Sequence, residues 1–223
     1  LHAALTADTG NTVDVEVRWK TRPVGAGAVT WVEGRGGDKS LKLDPATNIE
    51  LLDVGDFDFN QPFTISAWVK LTASGQTGAI IARMDEGNSY RGWDLYIQDN
   101  RIGSHLINKW PQDAIKTVAT TALPLNEWHH VAATYYGSGK VAGLQIYYDG
   151  QPQATMPEAN EIKCTSRTDK PLRFGRRSNG GSQLANAQVQ DIRIYSSAFA
   201  ENAIDSLAQG QGLVDILHKP ASE

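Results

Sequence analysis

Between Arg83 and Pro111 the chain reads RMDEGNSYRGWDLYIQDNRIGSHLINKWP, where Arg83, Arg91, Arg101, Lys109 and the titratable His105 are interleaved with Tyr90, Trp93, Tyr96 and Trp110. Aromatic faces stack on the C–H patches of sugar rings, and guanidinium forks match carboxylates with two parallel hydrogen bonds. This mixture of residue types therefore suits a carbohydrate-contacting surface. The candidate ligand-binding residues in the run are Arg83, Tyr90, Arg91, Tyr96, His105, Lys109 and Trp110, and the later PLRFGRRS segment adds Arg176 and Arg177. Cations clustered in a chain of net charge -4 favour an anionic polysaccharide slightly over a neutral one.

Catalytic patterns are weaker. Glycoside hydrolysis needs two carboxylates flanking the scissile bond, and an E-x-D-x-E strand would place them on one face. No such strand is present: Asp85 and Glu86 are adjacent and point apart, and Asp56 and Asp58 fall in the acidic turn DVGDFDFN. A lyase would need a Tyr or His base beside a cation that neutralises a uronate, and Tyr90 or Tyr96 with His105 and Arg83 supply that composition. Composition alone leaves non-catalytic binding as the better reading. His129 and His130 are neighbours, and on a strand they face opposite ways, which argues against a shared metal ion. Cys164 is the single cysteine, so the chain can form no internal disulfide. The mild acidity argues against nucleic acid as a partner, and no apolar run approaches the roughly 18 residues of a membrane span. The start at Leu1, with no Met or signal sequence, reads as a piece of a mature or larger protein.

The elements that must position these residues are strands. PFTISAWVKL alternates Phe63, Ile65, Ala67 and Val69 on one face with Thr64, Ser66, Trp68 and Lys70 on the other. Trp93, Leu95 and Ile97 share one face, which makes Trp93 a core residue and leaves Asp94 and Tyr96 opposite. Asp99-Asn100 turns the chain into a strand on which Ile102, Ser104 and Leu106 face inward and His105 outward. NEWHHVAATYY sends Val131, Ala133 and Tyr135 to the core, Asp149-Gly150 closes a hairpin, and AQVQDIRIY is the last strand. The glycine-rich run around residues 23–37, the segment Pro111–Leu125 and the stretch before PLRFGRRS read as turns or loops, and Ala200–Leu207 as one short helix. About a dozen short strands with regular turn signals predict an all-β antiparallel sandwich, one domain over 1–209 with a C-terminal tail or linker over 210–223.

PFTISAWVKL, NEWHHVAATY with LQIYYDGQ, PLRFGRR and QDIRIYSSAFA occur in the order found in laminin-G-like, concanavalin A-like domains, which the chain resembles over Leu1–Gln209. Arg83–Pro111 is similar to modules embedded in large secreted bacterial multidomain proteins. The resemblance implies a jelly-roll of two curved sheets, an extracellular or periplasmic location, and a carbohydrate- or protein-binding role, with a polysaccharide or other domains of the parent protein as partners. It also implies one structural Ca2+, for which Asp191 of the D-x-R-I-Y strand and Asp8 near the N-terminus are the candidate ligands. The alternative to glycan binding is a protein-protein or structural role.

Overall fold

The inward faces expected from period-two alternation meet in a single core. The computed structural model describes residues 1–178, 180 and 182–210, so the tail or linker expected at 210–223 lies outside the described residues from 211 onward. Phe63, Ile65, Ala67 and Val69 pack with Trp93, Leu95, Ile97, Ile102, Leu106, Val131, Ala133 and Tyr135, all fully buried or nearly so. Phe63 stacks on Phe57 at 5.0 Å and on Trp93 at 6.0 Å between ring centroids. The Trp93 indole N–H donates to the Gly55 carbonyl at 2.6 Å, so the one polar atom of this core residue is matched.

These side chains belong to two antiparallel sheets, the expected jelly-roll sandwich. The first runs in the order Gln151–Pro152, Leu144–Tyr148, Trp128–Tyr135, Phe63–Leu71, Ala187–Tyr195, His2–Ala3, Thr12–Val17 and Lys20–Gly25. Lys39–Leu43 also pairs with Ala187–Tyr195 and carries Thr30–Glu33. The second is seven-stranded: Thr155–Glu161, Asp113–Ala119, Arg101–Lys109, Arg91–Gln98, Gly78–Asp85, Leu172–Phe174 and Glu50–Leu51. The helix is Glu201–Ala208, whose Ile204 and Leu207 pack on Ala132 and Tyr147 of the first sheet.

Three segments expected as turns or loops are strands. Asp113–Ala119, within the stretch taken as a crossing loop, pairs with Arg101–Lys109; its alternation is hidden because Lys116 stands on a face that is buried rather than solvated. Thr155–Glu161 forms the sheet edge, where Pro157 is accommodated at a register shift opposite Lys116 and Thr117. Lys20–Gly25 and Thr30–Glu33 are outlying strands of the first sheet despite their glycines and Pro23. The two-residue turns Asp99-Asn100 and Asp149-Gly150 are present, with φ of 51° and 61°, and 48° and 84°. Both residues of each turn are left-handed, as a hairpin matching the twist of its strands requires.

Trp93→Ala removes the largest side chain of the core and frees the Gly55 carbonyl. It is expected to cost about 3–5 kcal/mol, seen as a lower urea midpoint at unchanged m-value.

Candidate functional site

The central strands of the seven-stranded sheet are buried on their outer face as well, away from the core. Register places Ala82, Asp94, His105, Lys116 and Ala159 in one row across five strands. A neighbouring row pairs Ala79 with Tyr96, Tyr96 with Gly103 and Gly103 with Val118. The Tyr96 ring lies over Gly103, where a Cβ would meet Tyr96 Cε1 at 2.5 Å. Any larger residue at 103 would lift the ring from the sheet.

Asp94 is fully buried and holds this face together. Its Oδ1 accepts from His105 Nδ1 at 2.8 Å and from the His105 backbone N–H at 3.2 Å. Its Oδ2 accepts from Arg177 Nε at 2.9 Å and Nη2 at 2.6 Å, while Arg177 Nη1 donates to Ser182 Oγ at 3.0 Å. Burial alone would push this carboxyl up, yet the charges of His105 and Arg177 and their hydrogen bonds hold it down at about 2. Burial lowers His105 below the ordinary imidazole value, against the opposing pull of Asp94, so the ring is neutral at pH 7. Lys116 Nζ donates to Glu158 Oε2 at 2.6 Å and to Gln98 Oε1 at 2.9 Å, and the Tyr96 hydroxyl donates to the same Gln98 oxygen at 2.8 Å. Burial pushes that phenol far above its ordinary range.

Above the row lies a pocket of about 300 Å³ lined by Tyr90, Tyr96, Gln98, Ile107, Trp110, Lys116 and Arg177, with His105 in its wall. His105 sits against the Tyr96 ring at 4.4 Å and edge-on to Trp110 at 5.6 Å. The Arg177 guanidinium lies 6.0 Å from the Tyr90 ring and 5.8 Å from Tyr96, and Lys116 Nζ lies 5.6 Å from both Tyr96 and Trp110. Tyr90 is 41% exposed and reaches the rim through two left-handed residues, Ser89 and Tyr90.

Of the residues singled out in the sequence, Tyr90, Tyr96, His105, Trp110 and Arg177 thus come together. Arg83 does not join them. It stands opposite Trp93 on the inner side of the sheet, and its guanidinium donates to the carbonyls of Leu52 and Val54, each at 2.8 Å, and Thr168 at 3.1 Å. With Asp56 3.6 Å from its Nε, Arg83 is a clamp on the loops at the sandwich edge. Arg91 donates to the Asn108 carbonyl, Lys109 is exposed at the end of its strand, and Arg176 is half-buried; none of the three lines the pocket. Sequence reading missed Asp94, Gln98, Lys116 and Glu158. For the first two, strand parity with Tyr96 was the available signal; Lys116 lay in a segment whose alternation was hidden.

Each expected calcium ligand has hydrogen-bond partners within the protein. Asp191 Oδ1 is engaged by His2 Nε2 and Arg193 Nε, both at 2.7 Å, and Asp8 accepts from Gly10 in its own turn. Among the described residues no group of three or more His, Cys, Asp or Glu could hold a metal; a calcium ion on Asp191 or Asp8 would draw the rest of its shell from backbone carbonyls. His129 pairs with Asp149 and His130 is buried edge-on to Trp68, so these neighbours serve separate contacts.

The family model described as Laminin_G_3, Concanavalin A-like lectin/glucanases superfamily, matches residues 35–205. No curated protein matches the sequence. Among solved structures, the binding domain of Paraclostridial Mosquitocidal Protein 1 is similar with TM-score 0.70 at 16% identity, over 93% of this chain and 51% of that one. The Botulinum neurotoxin serotype G binding domain gives 0.60 at 16%, over 95% and 50%. A Trypanosoma rangeli sialidase gives 0.61 at 17%, over 96% and 32%. The chain spans about half the length of the first two, and at these identities the likeness is one of fold. No helix among the described residues is long and apolar enough to cross a membrane.

Three outcomes follow from this geometry. Asp94→Asn leaves Arg177 buried without its counter-charge and is expected to cost about 3 kcal/mol in chemical denaturation. In the unchanged protein the Asp94 contribution is complete above the ordinary carboxylate value of 3.8 and is lost as pH falls through its folded value of about 2, so an acid titration of stability should steepen below about pH 4 and do so less in Asp94→Asn. EDTA should leave Tm unchanged; a drop would reveal an ion bound by the native state.

Proposed function

Because the chain belongs to the concanavalin A-like lectin/glucanases superfamily, we propose that it is a non-catalytic carbohydrate-binding module of a larger secreted protein, acting outside the cytoplasm on a polysaccharide. The observation that carries this reading is the pocket in which the rings of Tyr90, Tyr96 and Trp110 converge with the polar groups of Gln98, His105 and Arg177. Flat apolar faces beside a few fixed hydrogen-bonding groups are what a sugar ring requires, since it presents C–H patches and hydroxyls together. The two carboxylates paired with the pocket's cations support a binding role over hydrolysis. Asp94 is fully buried and held by His105 and Arg177, and Glu158 is ion-paired to Lys116. Neither stands free to protonate a leaving group or attack an anomeric carbon.

Affinity electrophoresis against acidic and neutral polysaccharides tests the proposal, and retardation by none of them would overturn it. Trp110→Ala and Tyr90→Ala are expected to weaken retardation at least about tenfold, since each removes a stacking face. Arg83→Ala should lower Tm and leave the affinity of the remaining folded protein unchanged, because that side chain clamps loops on the other side of the sheet.

A further inference from the structure

We propose that His105 determines the pocket's specificity by presenting a bare Nε2 lone pair to the ligand, so that the pocket takes a neutral sugar ring whose hydroxyl donates to that nitrogen, in preference to an anionic one. The inference rests on the carbohydrate-binding reading and deepens it.

The tautomer follows from the contacts. An ionised carboxylate only accepts hydrogen bonds, so the proton in the 2.8 Å contact between His105 Nδ1 and Asp94 Oδ1 sits on the nitrogen. In a neutral ring that leaves Nε2 unprotonated. Among the described residues Nε2 has no hydrogen-bond partner, while the ring itself lines the pocket. The other groups facing the imidazole do not favour a second proton: Arg177 comes from the loop above, Lys116 from the adjacent strand, and both carry positive charge. Asp94 offsets them from the same strand pair, Glu158 stands beyond Lys116, and Tyr96 and Trp110 close the ring in as uncharged walls.

The cations also do not make the pocket a receptor for anions. Arg177 places Nε and Nη2 on Asp94, and Lys116 is matched by Glu158 at 2.6 Å, so each positive charge already has its carboxylate. A ligand carboxylate would enter a site with no net positive charge and meet the lone pair of Nε2. A hydroxyl would meet an acceptor without a donor, and its ring would lie against Tyr90, Tyr96 and Trp110. The chain Arg177–Asp94–His105 is then a positioning device: Arg177 fixes the carboxylate, and the carboxylate fixes the tautomer.

The experiment combines two measurements on the unmodified protein. Affinity electrophoresis compares neutral polysaccharides (a glucan, a mannan, a xylan) with acidic ones (an alginate, a pectate). Long-range proton–nitrogen NMR of the histidine side chains at neutral pH reads the His105 tautomer directly, before and after addition of whichever polysaccharide fragment binds. The expected result is stronger retardation by a neutral polysaccharide, an Nδ1–H tautomer, and a shift of the Nε2 resonance toward the hydrogen-bonded range on binding. His105→Phe should then lose roughly tenfold in affinity, the worth of one hydrogen bond from a buried acceptor, if circular dichroism shows it folded. An Nε2–H or doubly protonated ring, or stronger retardation by the acidic polymers, overturns this inference and leaves the carbohydrate reading standing. Retardation by no polysaccharide overturns both, whatever the tautomer.

Discussion

A carboxylate removed from water has to be matched by charge and hydrogen bonds, and the second sheet is arranged around one such group. Asp94 is fully buried, and its two oxygens are shared between His105 on the adjacent strand and Arg177, which is 83 positions away in sequence. Removing either partner would leave part of the charge uncompensated in a low-dielectric surrounding, so the three residues are mutually required. Their satisfaction has a local consequence. It fixes the loop carrying Arg177 over the sheet, and with it one wall of the pocket; Tyr90 and Tyr96 lie within reach of the same guanidinium.

The sheet can carry such a site because each of its central strands is used on both faces. Trp93, Leu95 and Ile97 face the sandwich core, while Asp94 and Tyr96, from the same strand, face the opposite side, where Tyr96 lines the pocket and Asp94 holds His105 and Arg177 of its wall; all five are nearly or fully buried. Period-two alternation thus supplies core packing and a pocket wall from one stretch of chain without either compromising the other. Gly103 completes the arrangement: its missing side chain is the space into which Tyr96 lies flat, and that ring supports His105.

Alternation is also why much of this was legible in the sequence. The inward sets around Phe63, Trp93, Ile102 and Val131, the hairpin at Asp99-Asn100 and the shared surface of Tyr96 and His105 all follow from it. Arg83 was misplaced for a physical reason. The register between Gly78–Asp85 and Arg91–Gln98 shifts between Ala79 and Ile81, and a slip of one residue moves every later side chain to the other face. Arg83 accordingly stands opposite Trp93 rather than beside Tyr96. The strand Asp113–Ala119 was hidden because Lys116 lies in a nearly buried position, where a sequence pattern leads one to expect an apolar residue.

The same limit separates the cluster of cations in the sequence from the charges that line the pocket. Arg83, Arg91, Lys109 and Arg176 lie outside the pocket and so do not contribute their charges to its lining. The two cations that do line it, Lys116 and Arg177, are paired with Glu158 and Asp94, neither of which is their neighbour in sequence. Charge proximity along a chain says little about the field in a site, because at close range the nearest counter-charge dominates and its identity is decided by strand pairing. Among the described residues the Nε2 lone pair of His105 stands without a partner in the pocket wall, and the proposed selectivity of the site rests on it.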